Sequence, residues 1–260
     1  MIGRALMIVA ACAAVAAPAA AQRSRPALSQ AELAAAVAAP GRPADATALD
    51  AVRKPAEVLR FMGLRRGDRV LDYFTGSGYY AEIMARAVGP TGLVVGWNGA
   101  SFMRNERIRT ALGGIHERSA NTLFYGTPAT ALAFPPASFD FAMLHLVYHD
   151  AYWESARFGV PRIDPATVTR AIWDALRPGG TVALIDHVAN PNADARAEVE
   201  ARHRIDPAVL RADFERAGFV LEAESDMLRN PQDDRSVNVF EPAIRGHTDR
   251  VVYRFRKPAR

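Results

Sequence analysis

The residues able to do chemistry fall in one glycine-bearing turn and one histidine-rich stretch. The turn reads Val70-Leu71-Asp72-Tyr73-Phe74-Thr75-Gly76-Ser77-Gly78-Tyr79-Tyr80-Ala81. An apolar run ends on a carboxylate, passes two glycines and enters a helical pattern. Gly76 and Gly78 let the backbone turn sharply and admit a ligand against main-chain N–H groups. The spacing also fits the dinucleotide pattern G-x-G-x-x-G/A, with Ala81 last. Asp72 separates the two readings, because a carboxylate there repels a pyrophosphate and suits an ammonium group. The second stretch holds His145, Tyr148, His149 and Asp150, with Asp186 and His187 further on. His149 is the candidate general base, since imidazole titrates near neutrality. Asp150 orients it or caps the following segment, and His187 is a second candidate. His149, His187, His203 and Asp206 show no H-x-x-x-H or H-E-x-x-H spacing, so no metal site is expected.

The elements that must position these groups alternate from Arg69 onward. Apolar runs at Val70–Phe74, Leu93–Trp97, Thr122–Tyr125, Phe139–Leu144 and Val182–Asp186 read as parallel strands of βα units. Phe219–Glu224 and Val251–Phe255 read as an antiparallel pair joined by the long connection Leu228–Asp249. Helices are expected at Tyr79–Val88, Pro165–Leu176 and Pro207–Ala217, the last with Asp206 as N-cap and Gly218 beyond its end. Ser29 and Glu32 have capping-box spacing ahead of another helix, and Pro55–Met62 reads as a further one. The fold class expected is α/β: a doubly wound, mostly parallel seven-stranded sheet with an antiparallel last strand. Ligands of such sheets bind outside the carboxyl ends of the strands. That places His145, Tyr148, His149 and Asp150 (after strand four), and Asp186 and His187 (after strand five), around one crevice. The long connection starts at the same edge, and its Arg229 or Arg245 is expected to pair an acidic group of a substrate.

Composition narrows the class. The 260 residues are 50% hydrophobic and 23% charged, enough for one sizeable core. A formal charge of +4 invites a nucleic-acid reading, but the basic residues are dispersed, nearly all Arg, and form no run interleaved with aromatics. Nucleic acid is not an expected partner. Residues 1–21 read as a Sec-type signal peptide: Arg4, an apolar core from Ala5 to Ala17, and Ala19-Ala20-Ala21 before Gln22. The segment is too short to span a bilayer, so no stable membrane insertion is expected and the product is periplasmic or secreted. Lipoprotein anchoring through Cys12 is the weaker reading, because the apolar core continues past it. Residues 22–54 form a helical extension and residues 55–260 the main domain.

The turn resembles motif I of the class I S-adenosylmethionine-dependent methyltransferases, usually V-L-D-x-G-x-G-x-G. Leu93–Trp97 resembles that family's second strand, Ser138-Phe139-Asp140-Phe141 its fourth, and Leu176-Arg177-Pro178-Gly179-Gly180 its turn into the fifth. Gly78-Tyr79-Tyr80, Tyr148-His149-Asp150 and Ile185-Asp186-His187 resemble, more narrowly, a group of exported predicted methyltransferases. So do His203-Arg204-Ile205-Asp206 and Arg245-Gly246-His247-Thr248-Asp249. The resemblance implies S-adenosylmethionine as cofactor, held by Asp72, Phe74, Gly76, Gly78, Asn98, Thr127 and His145. It also implies a small-molecule acceptor near Tyr148, Arg229 and Arg245. Two departures stand out. Phe74 replaces the first motif glycine, and Asn98 stands where an acid usually holds the ribose hydroxyls, giving up charge-assisted bonds. The Asn-Pro-Pro-Tyr signature of N-methylation is absent, with Leu144-His145-Leu146-Val147 in its place. The alternatives are a non-catalytic binding protein on this scaffold and, disfavoured by Asp72, a NAD-dependent oxidoreductase.

Overall fold

The computed structural model describes residues 25–191 and 194–259; residues 1–21, read from the sequence as a signal peptide and including Cys12, lie outside them. Among the described residues, four helices precede the sheet: α1 (Gln30–Ala38), α2 (Ala44–Thr47), α3 (Asp50–Arg53) and α4 (Pro55–Met62). The Ser29–Glu32 capping box forms in both directions. Pro55 opens α4, and Gly63 (φ 77°) ends it with its N–H on the carbonyls of Leu59 and Arg60. Then follow β1 (Arg69–Tyr73), α5 (Tyr79–Val88), β2 (Leu93–Gly99), α6 (Glu106–Arg118), β3 (Thr122–Thr127) and β4 (Phe139–His145). The chain continues through α7 (Pro165–Ala175), β5 (Leu176–His187), α8 (Ala195–Arg202), α9 (Pro207–Arg216), β6 (Val220–Glu224) and β7 (Arg250–Arg256).

The sheet order is β3-β2-β1-β4-β5-β7-β6. β1 pairs in parallel with β2 and β4, while β7 runs antiparallel between β5 and β6. Side-chain alternation on the strands builds a core on each face. Leu71, Tyr73, Val95, Trp97, Leu144 and Leu184 pack under α7 and α9, against Val168, Ile172, Leu210 and Phe214. Val70, Val94, Met143 and Ile185 pack under α1, α4 and α5, against Leu33, Val58, Leu59, Met62 and Ile83. Each fully buried Leu, Val, Ile, Met or Phe contributes about 1.5–3 kcal/mol of burial free energy. Helices α1 and α4 are therefore part of the second core. Arg42 pairs with Asp50 (2.7 Å), and Asp50 accepts from the Tyr79 hydroxyl (2.7 Å).

The order of strand addition reverses between the parallel neighbours β1 and β4: β1 leads outward to β2 and β3, and β4 returns to its other side. The carboxyl ends of β1, β2 and β4 therefore open onto one crevice. The expected strands form, several of them longer than the apolar runs. β5 begins at Leu176, whose partner is Phe139, so the Pro-Gly-Gly turn lies inside the strand's span. Four helices were not expected: the short α2 and α3, which bury no residue, and the longer α6 and α8. α6 carries Gly113-Gly114 mid-helix and buries only Leu112 and Ile115; its start is set by Asn105, which accepts from the N–H groups of Arg107 and Ile108. α8 buries just Glu198 and Val199, too little to show as a stripe. Among the described residues, no helix is long and apolar enough to cross a membrane.

Candidate active site

Asp72 is fully buried and accepts from Thr75 Oγ1 (2.5 Å) and from the Ala81 N–H. Its carboxylate fastens the glycine turn to the first turn of α5 and does not line the cavity beside it. The next residues explain the turn's shape. Phe74, Gly76 and Gly78 all have positive φ (54°, 59° and 85°). For Phe74 that conformation costs about 1–2 kcal/mol. Its ring packs edge-on against Phe102 (4.7 Å) and Trp97 (5.9 Å), which offsets part of the cost. Gly78 is required by its backbone, because few L side chains adopt φ 85°; a Cβ there would also press on the Ile115 Cδ1 tip on α6 (2.4 Å).

Asn98, at the end of β2, has no exposure and turns back onto the turn. Its Oδ1 accepts from the Gly76 N–H (2.9 Å), and its Nδ2 donates to the Gly76 carbonyl (3.0 Å). The amide is thus occupied by protein, and so is the main-chain donor expected to face a ligand. Thr127 Oγ1 accepts from Trp97 Nε1 (2.9 Å) and is occupied likewise.

Burial pushes the Asp72 carboxyl up to about 7, against hydrogen bonds from Thr75 and Ala81 that lower it. The group is harder to ionise folded than unfolded. Its contribution to stability is complete below its unfolded pKa of 3.8 and is lost as pH rises through about 7. Asp72→Asn keeps an acceptor for Ala81 and a donor for Thr75 without the charge. It is expected to raise the melting temperature relative to the parent at about pH 8 but not at about pH 4. Thermal melts at the two values check this; an equal shift at both contradicts it.

Beside the turn lies a cavity of about 460 Å³, walled by Tyr73, Phe74, Trp97, Gly99 to Phe102, Pro128, Ala129, Asp150, Trp153 and the segment around Gly159–Ile163. It sits at the carboxyl ends of β1 and β2 and against the segments that follow β3 and β4. Tyr73 and Trp97 stack at its floor (5.0 Å). Of the expected site residues, only Phe74 and Asp150 line it. Phe102 and Trp153 escaped the sequence reading because lone aromatics in irregular segments carry no pattern.

After β4 the chain turns back at Leu146 (φ 58°) and drives Tyr148 into the core. Tyr148 has no exposure, its hydroxyl donates to Asp213 Oδ2 (2.7 Å) and its ring packs on Phe214, so the expected substrate contact is corrected to a structural one. A 3-10 turn, His149–Tyr152, then presents His149 and Asp150. Asp186, at the end of β5, accepts from His149 Nδ1 (2.7 Å) and the His149 N–H (2.9 Å). Asp186 thus takes the orienting role proposed for Asp150, whose Oδ1 faces His149 Nε2 at 3.4 Å and His203 Nδ1 at 3.6 Å. Burial lowers the His149 pKa, but Asp186 and Asp150 outweigh it and hold the imidazole up at about 9. At neutral pH it is protonated, which removes the ready general base expected of it.

His187 Nδ1 is hydrogen-bonded to Thr248 Oγ1 (2.7 Å), and burial followed by neighbouring cations keeps that ring neutral. His145 packs on Tyr80 (4.7 Å) with its buried Nε2 unpartnered. Asp206 caps α9 by accepting from the Ala208 N–H (2.8 Å), and among the described residues it is Asp150, not His187 or Asp206, that gathers with His149 and His203. Arg229 is spent internally on Asp249 (2.7 and 3.0 Å), which corrects its assignment to a substrate acid; Arg245 is exposed, over the Phe240 ring.

Known proteins with similar sequences and folds agree with this architecture. A profile of the protein-L-isoaspartate(D-aspartate) O-methyltransferase (PCMT) family matches residues 38–110, which include the glycine turn and β2. Demethylmenaquinone methyltransferase of Listeria monocytogenes serotype 4a is 28% identical over 138 residues, 52% of this chain and 51% of that one. The 2-phytyl-1,4-naphtoquinone methyltransferase of Synechococcus elongatus is 30% identical over 132 residues, 49% of each chain. The chain spans about half the length of the curated relatives it matches. A SAM dependent methyltransferase from Aquifex aeolicus superposes with a TM-score of 0.55 at 15% identity, covering 80% of this chain and 98% of that one. What the chain shares with that structure is the fold, a Rossmann-like methyltransferase sheet with an antiparallel strand among its last.

Proposed function

We propose that this protein is an S-adenosylmethionine-dependent methyltransferase acting on a small-molecule acceptor. The observation that carries the reading is the cavity of about 460 Å³ at the carboxyl edge where the order of strand addition reverses. The residues present fit an adenosyl ligand in one respect and depart in another. The corner is open, and stacked Tyr73 and Trp97 with Gly99 to Phe102, Pro128 and Ala129 offer flat apolar walls to a heteroaromatic ring. Ribose hydroxyls, however, meet no carboxylate at the end of β2, because Asn98 is tied to Gly76.

When bound, the cofactor supplies a methyl group made electrophilic by its sulfonium. The chain's own contribution is mainly positioning: the aromatic walls orient two flat reactants and exclude water, which alone can supply a large share of the rate. The names of the matched relatives point to a quinone-like acceptor, and the aromatic lining is consistent with one.

Calorimetry of the folded protein against S-adenosylmethionine, S-adenosylhomocysteine and NAD tests the reading. Both adenosyl ligands are expected to bind and NAD to give no signal. Ala100→Trp, which projects a ring from the cavity wall, is expected to weaken adenosyl binding at least tenfold without lowering the melting temperature. Silence with both adenosyl ligands, or undiminished affinity in Ala100→Trp, would refute it.

A further inference from the structure

We propose that His149, Asp150 and His203 bind a divalent transition-metal ion of the zinc class. One ligand atom from each of the three lies within 4.8 Å of the others. A tetrahedral ion with bonds of about 2.0–2.1 Å needs its donors about 3.3–3.4 Å apart. Asp150 Oδ1 already stands 3.4 Å from His149 Nε2 and 3.6 Å from His203 Nδ1. Closure requires only a small inward movement of the side chains.

The surroundings are those of a ligand set. A carboxylate such as Asp186 can only accept, so His149 Nδ1 carries a proton and Nε2 is the nitrogen left facing Asp150, where an ion would take the place of the Nε2 proton. This carboxylate–histidine pairing fixes the tautomer and strengthens the ring as a metal ligand. His203 ends α8 in the left-handed conformation (φ 52°), a strained state for a non-glycine residue. It is held there between Trp153 (5.1 Å) and Phe240 (5.0 Å). Two imidazoles with one carboxylate favour zinc or iron over calcium or magnesium. Three protein ligands leave at least one coordination position open, the pattern of reactive rather than purely structural ions. Asp150 also lines the cavity, which places the ion at its wall.

The test needs neither an adenosyl ligand nor activity, so it stands or falls apart from the proposed methyl transfer. The full chain, free of added histidines and treated with chelator, is titrated calorimetrically with zinc chloride. Cobalt(II) is titrated separately, for its visible absorption. One ion per chain is expected, with the cobalt band of a low-coordinate site. His203→Asn is the informative variant, because Asn tolerates the left-handed backbone; it should weaken zinc binding about 100-fold or more. Asp186→Asn should weaken it about 10–100-fold by replacing the orienting carboxylate with a neutral amide. His116→Ala, a histidine on α6 outside the cluster, should bind as the parent does. Absence of stoichiometric binding, or parental affinity in folded His203→Asn, overturns the proposal.

Discussion

Asp233→Ala is expected to lower the unfolding free energy by about 3–5 kcal/mol, the usual cost of stranding a buried charge. The charge stranded is Arg204, whose side chain has no exposure and whose guanidinium meets both Asp233 oxygens (2.8 and 3.1 Å). The same carboxylate accepts from the Asp249 N–H (2.7 Å) and the Arg235 N–H (3.0 Å). Its loss therefore leaves two main-chain donors short of a partner as well. Arg204 itself donates to the Val237 and Val188 carbonyls, so one ion pair pins the connection after β6 to the corner between α8 and α9. For a chain of this size the loss corresponds to a melting-temperature drop on the order of 10 °C. Urea unfolding measures it, with Glu154→Ala as the comparison. Glu154 pairs with Arg162 in solvent, both half-exposed or more, and such pairs contribute less than about 1 kcal/mol. If the two variants lose equal stability, the Arg204 pair does not carry the weight assigned to it.

Asp140→Ala should cost a similar amount, about 3–5 kcal/mol, for a different structural reason. Asp140 sits at the amino end of β4 with no side-chain exposure. It accepts from Arg177 (2.8 Å), Arg25 (3.1 Å) and the Arg69 N–H (2.9 Å). It ties the lead-in to α1, the first residue of β1 and the start of β5 at the sheet edge opposite the cavity. Stability should fall while cavity ligands bind unchanged at temperatures where the variant stays folded. Denaturant titration and calorimetry on the same preparation separate the two effects. A variant that keeps its stability, or loses ligand affinity while folded, contradicts the assignment.

Local signals in the sequence were reliable where the structure uses them locally. Asp206-Pro207 and Gly218 bracket α9, Ser29 and Glu32 cap α1, and the apolar runs are plainest in the inner strands, where both faces of the sheet are buried, while the edge strands β3 and β6 are partly exposed. Legibility failed where a side chain's partner is distant in sequence. Arg229 looks like a free cation until the chain brings Asp249 back to it, and Tyr148 looks like a cleft residue until Asp213 receives its hydroxyl. The histidine cluster was missed for the same reason. His203 reaches His149 and Asp150 through the packing of α8 on the turn after β4, and no spacing rule records that meeting. Asn98 shows a further limit: its place at the end of β2 was legible, but the choice between a ligand and the neighbouring glycine was not.

The position of β7 inside the sheet sets the order of assembly. β6 is made earlier, yet its hydrogen-bonded neighbour is β7, and β5 likewise waits for that last strand to cover its edge. Arg250 and Arg254 on β7 also reach back to the carbonyls of Val52 and Phe61, near the start of the described chain. A nascent polypeptide therefore cannot finish the β5-β7-β6 end of its sheet until β7 emerges. Such late, long-range closure slows folding and leaves a bare strand edge exposed in the interval, the stage at which the growing chain is most open to mispairing.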